Sequence, residues 1–320
     1  MSHSPDLSVV IPTHNGGAVL HRTIEALKIQ DAPPERYEII VVDDGSTDGS
    51  TDGLARPNGP VDIRLIAQEN KGRAAARNRG VAEAHGRSVL FLDADIWALP
   101  GLVSAHLAHH ARRRNLGVQG PWFPHPDSLV NMYMRARHMI PDILLRRREG
   151  LSPFHVITRN FSIDADAFWR AGGFDEAFTG YGWEDMELGL RLQRSGVTLR
   201  YEPRAAAYHF HIQELNDVQE KLRQAGEGAV YFWQKHNRNF SLGLFLEILP
   251  VLLPMKWFVY RSGIVTAALL PLRRLAERTG LTFVCREIDN FLVWSSYYEG
   301  VFSALRRPRG MHHPALEDGR

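Results

Sequence analysis

Two short acidic signatures carry residues able to do chemistry: Asp93-Ala94-Asp95, at the end of an apolar run, and Trp183-Glu184-Asp185, further along the chain. In an extended segment alternate side chains share a face, so Asp93 and Asp95 would present two carboxylates together. Such a pair suits a hard divalent cation, held directly by one carboxylate and through water or ribose hydroxyls by the other. The cation would neutralise a diphosphate leaving group. The competing reading is a plain turn after a strand, where Asp is frequent for conformational reasons. In Gly180-Tyr181-Gly182-Trp183-Glu184-Asp185 the glycines let the backbone pass close to a ligand. Trp183 could stack on a sugar ring, and Asp185 could take a proton from an attacking hydroxyl. Helix-start electrostatics would account for Glu184 and Asp185, but not for the Tyr–Gly–Trp cluster.

Three further clusters are candidates. Asp43-Asp44-Gly45-Ser46-Thr47-Asp48 could accept hydrogen bonds from a base N–H or a ribose, or could simply be a turn and helix cap. Pro12-Thr13-His14-Asn15 sits where a dinucleotide fingerprint would need Gly-x-Gly-x-x-Gly, and that fingerprint is absent. In Lys71-Gly72-Arg73-Ala74-Ala75-Ala76-Arg77-Asn78, Arg73 and Arg77 share a helix face. They form either an anion site at a helix start or surface arginines on an Ala-rich helix. His209-Phe210-His211 offers imidazoles at i and i+2, a third metal ligand beside an Asp-x-Asp pair or structural histidines.

The elements that must position these residues alternate. Leu7–Ile11, Glu38–Val42, Ile63–Ile66 and Val89–Leu92 read as short buried strands. Val19–Ile29 and Gly72–Ala84 between them read as helices. This alternation predicts βαβ units and a largely parallel sheet, with ligands beyond the carboxyl ends of the strands. Three of those ends hold Thr13-His14-Asn15, Asp43-Asp44 and Asp93 to Asp95. Further on, the pattern predicts helices over 102–114, 166–171 and 184–194, strands over 154–161 and 199–209, and an aromatic, Pro-rich loop over 119–126. Residues 128–148 read as basic and partly helical. Leu215, Val218 and Leu222 mark an amphipathic helix running toward His236.

The formal net charge of +2 is too small to argue for nucleic acid, although Arg112–Arg114, Arg146–Arg148, Arg273-Arg274 and Arg306-Arg307 are local basic runs, solvated or facing anionic lipid. A single cysteine, Cys285, excludes an internal disulfide framework and a Cys-based zinc cluster, and fits a reducing compartment. Residues 1–6 lack signal-peptide character. The apolar stretch 240–272 is broken by Glu247, Lys256, Arg261 and three prolines, so no uninterrupted span of about 20 apolar residues exists. The expectation is a cytoplasmic protein, attached or not to the inner face of the membrane.

Taken together, the motifs over residues 6–236 resemble the family-2 inverting glycosyltransferases of the GT-A fold. Val-Val-Ile-Pro-Thr-His-Asn, Val-Asp-Asp-Gly-Ser-Thr-Asp, Asn70-Lys71-Gly72 through Arg77-Asn78, and Phe91-Leu92-Asp93-Ala94-Asp95 appear in the family's order. So do Gly172-Gly173-Phe174-Asp175-Glu176 and Gly182-Trp183-Glu184-Asp185-Met186-Glu187-Leu188. The resemblance implies an α/β fold with a mostly parallel central sheet flanked by helices. It implies a GT-A domain over 1–236; residues 237–305, which match nothing in the family, read as an apolar helical extension, and 306–320 as a disordered tail. The extension would lie on a membrane surface, pack on the catalytic domain or meet a second subunit.

Residue by residue, the resemblance implies that Thr13 and Asp44 contact the nucleobase, with Asp43 nearby, and that Lys71 and Arg77 lie near the base or diphosphate. Asp93 would contact ribose or metal. Asp95 and His209 would hold Mn²⁺ or Mg²⁺, with His211 as the fallback ligand. Trp183 would pack on the acceptor. Asp185, with Glu184 beside it, would be the catalytic base. The implied reaction moves a sugar from a nucleotide-diphosphate donor, UDP by resemblance, to a hydroxyl of a glycan or lipid-linked acceptor, in cell-surface glycan or polysaccharide synthesis. His14 departs from the family pattern, which leaves base preference open. Two other readings are a sugar nucleotidyltransferase, which would need a Gly-rich basic loop where Pro12–Gly17 stands, and a non-catalytic sugar-binding module, which loss of either acidic motif would favour.

Overall fold

The computed structural model describes residues 4–54, 59–128, 150–210 and 214–307. These fall into two compact units. One holds the residues up to 128, 150–179 and 184–210; the other holds 180–183 and 214–307. The basic run Arg146–Arg148, His211 and the tail beyond Arg307 lie outside the described residues.

The first unit runs β1 (Leu7–Thr13), α1 (Gly17–Lys28), β2 (Tyr37–Asp44), β3 (Asp62–Gln68), α2 (Arg73–Ala82), β4 (Ser88–Leu92), β5 (Ile96–Ala98) and α3 (Leu102–Arg112). It continues with β6 (Leu116–Gln119), β7 (Trp122–Pro124), β8 (Asn160–Asp164), α4 (Ala165–Arg170), α5 (Glu184–Arg194), β9 (Thr198–Tyr201) and β10 (Ala207–His209). The main sheet has the order β3-β2-β1-β4-β8-β6-β9. β1, β2, β3 and β4 pair in parallel, as do β6 and β9, while β8 runs antiparallel between β4 and β6. A second sheet, β5-β10-β7, sets β10 antiparallel to β5 and parallel to β7.

Because side chains alternate along a strand, the apolar runs feed two cores. Val9 and Ile11 of β1 join Leu20, Ile24 and Leu27 of α1 and Leu102, Val103 and Leu107 of α3. Val10 between them joins Ala74 and Ala76 of α2, Phe168 of α4 and Leu188 and Leu192 of α5. Coverage on both faces is what turns strands into near-continuous apolar runs rather than alternating ones. Helix α2 approaches the sheet so closely that a Cβ on Gly80 would run into Val10. The alanines of this helix are therefore packing residues, not a bland exposed face.

The sequence reading needs correction at four places. The expected strand over 154–161 begins only at Asn160; Pro153 and the Ser152 hydroxyl, which accepts from the Phe154 amide at 3.4 Å, build a 3₁₀ turn before it. The expected strand over 199–209 is two strands in two sheets. Pro203 has no amide to continue a ladder, and Ala205 bonds back to the Glu202 carbonyl in a turn. The loop over 119–126 contains the end of β6 and all of β7. Finally, the division between units does not fall at 236: Leu215–Lys235 groups with the C-terminal helices.

The second unit is helical: α6 (Leu215–Lys235), α7 (Phe240–Phe245), α8 (Leu253–Arg261), α9 (Ile264–Arg278) and α10 (Thr282–Arg306). α6 and α10 pack along each other, and small residues make this possible. A Cβ on Gly226 would strike the Tyr297 carbonyl, and one on Gly300 the Arg223 carbonyl.

Candidate active site

The loops after β1 and β2 are held by their own polar residues. The Asp44 carboxylate accepts from the Gln68 amide (2.7 Å) and the Lys71 backbone (2.9 Å) through Oδ1, and from the Gly72 backbone (2.8 Å) through Oδ2. Asp43 accepts from the Ser46 amide at 2.8 Å and the Thr51 hydroxyl at 2.9 Å. Burial raises the Asp43 pKa, but these bonds and the nearby His14 outweigh it and hold the carboxyl below its usual range. His14 itself contacts the Asp44 carbonyl through Nδ1 at 2.9 Å. Thr13 is buried and its hydroxyl has no hydrogen-bond partner among the described residues. Lys71 is exposed.

Asp93-Ala94-Asp95 is a turn rather than an extended segment: the Ile96 amide bonds back to the Asp93 carbonyl, and the Thr23 hydroxyl pins the Ala94 carbonyl at 2.7 Å. The turn carries the chain from the large sheet into the small one, so the two carboxylates find different partners instead of sharing one face. Asp93 accepts from Arg77 Nη2 at 2.8 Å and lies 3.4 Å from Arg159 Nε. Asp95 Oδ2 lies 3.1 Å from His209 Nε2. The register His209↔Ile96 and the Phe210 amide bonded to the Asp95 carbonyl bring these two together.

Arg77 is the centre of this region. It is buried, contrary to the surface-arginine alternative, and its guanidinium meets Asp93 at 2.8 Å, Glu184 at 3.4 Å and Asp185 at 3.8 Å. Phe174 lies beneath it, 5.5 Å from the ring centroid. Asn78 clasps Phe174 through both of its backbone groups, at 2.8 and 2.9 Å. The Gly172-to-Glu176 motif thus supports Arg77 from below. Burial would lower the Arg77 pKa, but Asp185, Asp93 and Glu184 together raise it above its ordinary value. Burial likewise pushes Asp93 up, and Arg77, Arg159 and Arg73 overcome this, so Asp93 stays below the usual carboxylate range. For Glu184 the balance is reversed: burial and the neighbouring Asp185 raise its pKa against the pull of Arg73 and Arg77.

Asp185 is gripped by one residue on both oxygens: the Thr158 hydroxyl donates to Oδ1 at 2.6 Å and the Thr158 amide to Oδ2 at 3.0 Å. The Glu184 side chain is 4% exposed and that of Asp185 19%, so of the two carboxylates only Asp185 is open to an incoming hydroxyl. Thr158 and Arg159 were not singled out in the sequence. They lie just before β8, and no local pattern marks two consecutive residues as holding carboxylates from two separate motifs.

Trp183 belongs to the helical unit. Its indole N–H donates to the Ala225 carbonyl at 2.7 Å, and its ring lies 6.1 Å from Phe245 and 6.4 Å from Phe232. It follows Gly182 in the left-handed region, at φ 76°, a conformation that a bulky residue rarely adopts and that recurs at functional sites.

Among the described residues no group of three His, Cys, Asp or Glu side chains forms a metal-binding set. What the geometry offers is the pair Asp95 and His209. Neighbouring ligands on an octahedral ion with bonds of about 2.1 Å lie about 3.0 Å apart, close to the 3.1 Å separating Nε2 and Oδ2. A carboxylate and an imidazole also match the donor chemistry of such ions. The pair could hold a divalent cation. Asp93, also expected as a ligand, meets Arg77 and Arg159 instead in this structure.

Residues 8–172 match the sequence model of glycosyl transferase family 2, and residues 155–215 match one described as the N-terminal domain of galactosyltransferase. The chain belongs to glycosyl transferase family 2, and its fold is GT-A. It is 37% identical over 226 residues to a validoxylamine A glucosyltransferase of Streptomyces hygroscopicus subsp. limoneus, covering 62% of this chain and 50% of that one. It is 30% identical over 237 residues to a chondroitin synthase of Escherichia coli, covering 63% of this chain and 34% of that one. The chain therefore spans about half the length of the first of these relatives, or less. Among solved structures, the Pyrobaculum calidifontis mannosyltransferase PcManGT in complex with GDP-Man and Mn²⁺ superposes with a TM-score of 0.58 at 17% identity, over 94% of this chain and 88% of that one. TarS 1-349 of S. aureus in complex with UDP superposes with a TM-score of 0.51 at 18% identity, over 92% of each. Among the described residues no helix is long and apolar enough to cross a membrane.

Proposed function

We propose that this protein transfers a hexosyl or N-acetylhexosaminyl group from a nucleotide-diphosphate donor, UDP-linked, to a hydroxyl of a glycan or lipid-linked acceptor, in a single displacement that inverts the anomeric carbon. One observation carries the reading: Arg77 draws Asp93, from the donor-side turn, and Asp185, from the start of α5, onto one guanidinium, while the adjacent Thr158 and Arg159 hold the same two carboxylates. Two distant motifs thereby become one site. The names of the relatives, a glucosyltransferase and a chondroitin synthase, support the hexosyl class and a carbohydrate acceptor.

On this reading the buried Thr13 hydroxyl, lacking a protein partner, serves the nucleobase. A carboxylate has about four lone-pair sites; Asp44 uses three of them within the fold and keeps one for a base N–H. Asp93, held ionised by its arginines, accepts from ribose. Asp95 and His209 would hold Mn²⁺ or Mg²⁺, which when bound supplies charge neutralisation at the diphosphate. The acceptor oxygen attacks the anomeric carbon from the face opposite the diphosphate. The new C–O bond forms as the bond to the diphosphate oxygen breaks, and the hydroxyl proton passes to Asp185. Thr158 holds the carboxylate plane during that transfer, so the base need not be oriented at the moment of reaction. Glu184, buried and with its pKa raised, tunes the electrostatics around Arg77 rather than meeting substrate.

A nucleotide-release assay over a panel of UDP- and GDP-sugars, with Mn²⁺, Mg²⁺ or chelator, tests this. Acceptor-stimulated UDP release that chelator abolishes is expected. Release indifferent to chelator would remove the metal, and no release with any donor–acceptor combination would remove the activity.

A further inference from the structure

The helical unit treats its apolar residues differently from any other part of the molecule. Of the 17 large hydrophobic residues that stand exposed among the described residues, only Ile29, Phe123 and Trp169 lie outside 240–294. Helix α8 buries none of its residues, and α9 buries only Ala276. α8 packs inward through the Tyr260 ring, stacked on Tyr298 at 4.7 Å and on Phe291 at 5.1 Å. That leaves Met255, Trp257 and Phe258 outside, at 56%, 44% and 55% exposure. On α9, helical spacing sets Ile264 and Leu275 on one outer face, with Arg274 and Arg278 along its flank. Both arginines are exposed, and neither makes an ion pair among the described residues.

We propose that α8 and α9 form a docking surface for an anionic lipid bilayer and lie in its interface rather than across it. Charge decides the occupant. Of the basic side chains in residues 240–286, Lys256, Arg261, Arg273 and Arg286 are paired with Glu247, Glu299, Asp289 and Glu287, while Arg274 and Arg278 stand exposed with no ion pair among the described residues. Exposed Trp, Phe and Leu beside unpaired arginines is the composition that binds a headgroup boundary, where the apolar face enters the acyl region and the cations meet lipid phosphate. A two-fold contact with a second copy through this face would set Arg274 and Arg278 near their own counterparts with no acid to meet them. The helices are too short or too polar to span, which matches a surface contact.

Co-sedimentation of the full chain with vesicles of phosphatidylcholine, with and without phosphatidylglycerol, tests the proposal independently of any transferase activity. Binding is expected to the anionic vesicles and to weaken as salt rises. Each basic residue near such a surface contributes about 1 kcal/mol, a factor of about five, so Arg274→Glu with Arg278→Glu should lower partitioning at least about tenfold. Trp257→Ser with Phe258→Ser should do the same without altering circular dichroism or the melting temperature, since these residues are exposed. Absence of binding to anionic vesicles, or binding that neither double variant reduces, overturns the proposal. So does a dimer in sedimentation velocity that Trp257→Ser with Phe258→Ser dissociates, which would assign the face to self-association.

Discussion

Each unit departs from the usual placement in one respect: the sheet unit buries charge, and the helical unit exposes apolar surface. In the sheet unit Arg77 and Glu184 are buried, and the half-buried Asp93 and Asp185 meet the same guanidinium, while the apolar side chains are enclosed in two cores. In the helical unit ion pairs such as Arg261–Glu299 and Arg286–Glu287 lie largely in solvent, and many large apolar residues of 240–294 are exposed with them. Burying ions is expensive unless geometry is good, so a buried network is a sign of a site that needs fixed charges. Exposing tryptophan and phenylalanine in quantity is a sign of a surface that is covered by something else. The proposed chemistry and the proposed attachment thereby fall in different units.

The largest expected effect belongs to the sheet unit. Asp185→Asn keeps the Thr158 contact but removes the base, and general-base help is worth about 10²–10⁴-fold in rate; kcat should fall by that order while calorimetry shows UDP binding unchanged. A variant with ordinary turnover would remove Asp185 from its role. Next comes Arg77→Met. It strands Asp93 and Glu184 without their central cation, a loss of the kind that costs about 3–5 kcal/mol, to be seen as a lowered denaturant midpoint; the exposed Arg274→Met should cost no more than about 0.5 kcal/mol. Equal effects at the two arginines would erase the contrast between the units.

Thr158→Val should lower kcat while leaving donor KM and UDP affinity unaltered, by about 10–100-fold, since hydrogen bonds to charged groups contribute about 1.5–3 kcal/mol. Thr158→Ser, which restores the hydroxyl, should recover most of the loss. A uniform fall in expression and melting temperature for both would indicate a merely structural threonine.

The smallest effect is a pH dependence with opposite signs inside one network. Asp93 is held below its ordinary pKa, so its contribution to stability is present above the usual carboxylate range and lost as pH falls through the depressed value. Glu184 is raised, so the native state binds a proton that the unfolded chain has released, and stability declines as pH rises from the ordinary value through the raised one. Glu184→Gln removes that decline. Its melting temperature relative to the unaltered protein should become more favourable as pH increases, and a difference that shrinks with pH would contradict the burial of this carboxylate.

Much of the sheet unit was legible because its signals are local. The short apolar runs at 7–11, 38–42 and 89–92 read as buried strands, and the acidic and hydroxyl residues that end them point to the ligand edge of a parallel sheet. Asp93, Asp95, Asp185 and His209 stood out as candidates for the same reason. Their partners did not. Thr158 and Arg159 look like any polar pair before a strand, and Arg77 looks like a surface arginine until β4 and α5 close over it. The strand expected over 199–209 concealed a change of sheet at Pro203, because a turn and a crossover share the same local residues.

What the sequence determined by itself, then, is the alternation of strands and helices, the family, and a set of candidate side chains for donor, cation and proton. Only the tertiary structure decided that Asp93 answers to Arg77 while Asp95 answers to His209, that Thr158 grips Asp185, and that Glu184 is withdrawn. The reason is physical. Periodicity and residue type are properties of neighbours along the chain, whereas desolvation and pairing depend on contacts between segments far apart in sequence, such as Arg77 with Glu184 and Asp95 with His209.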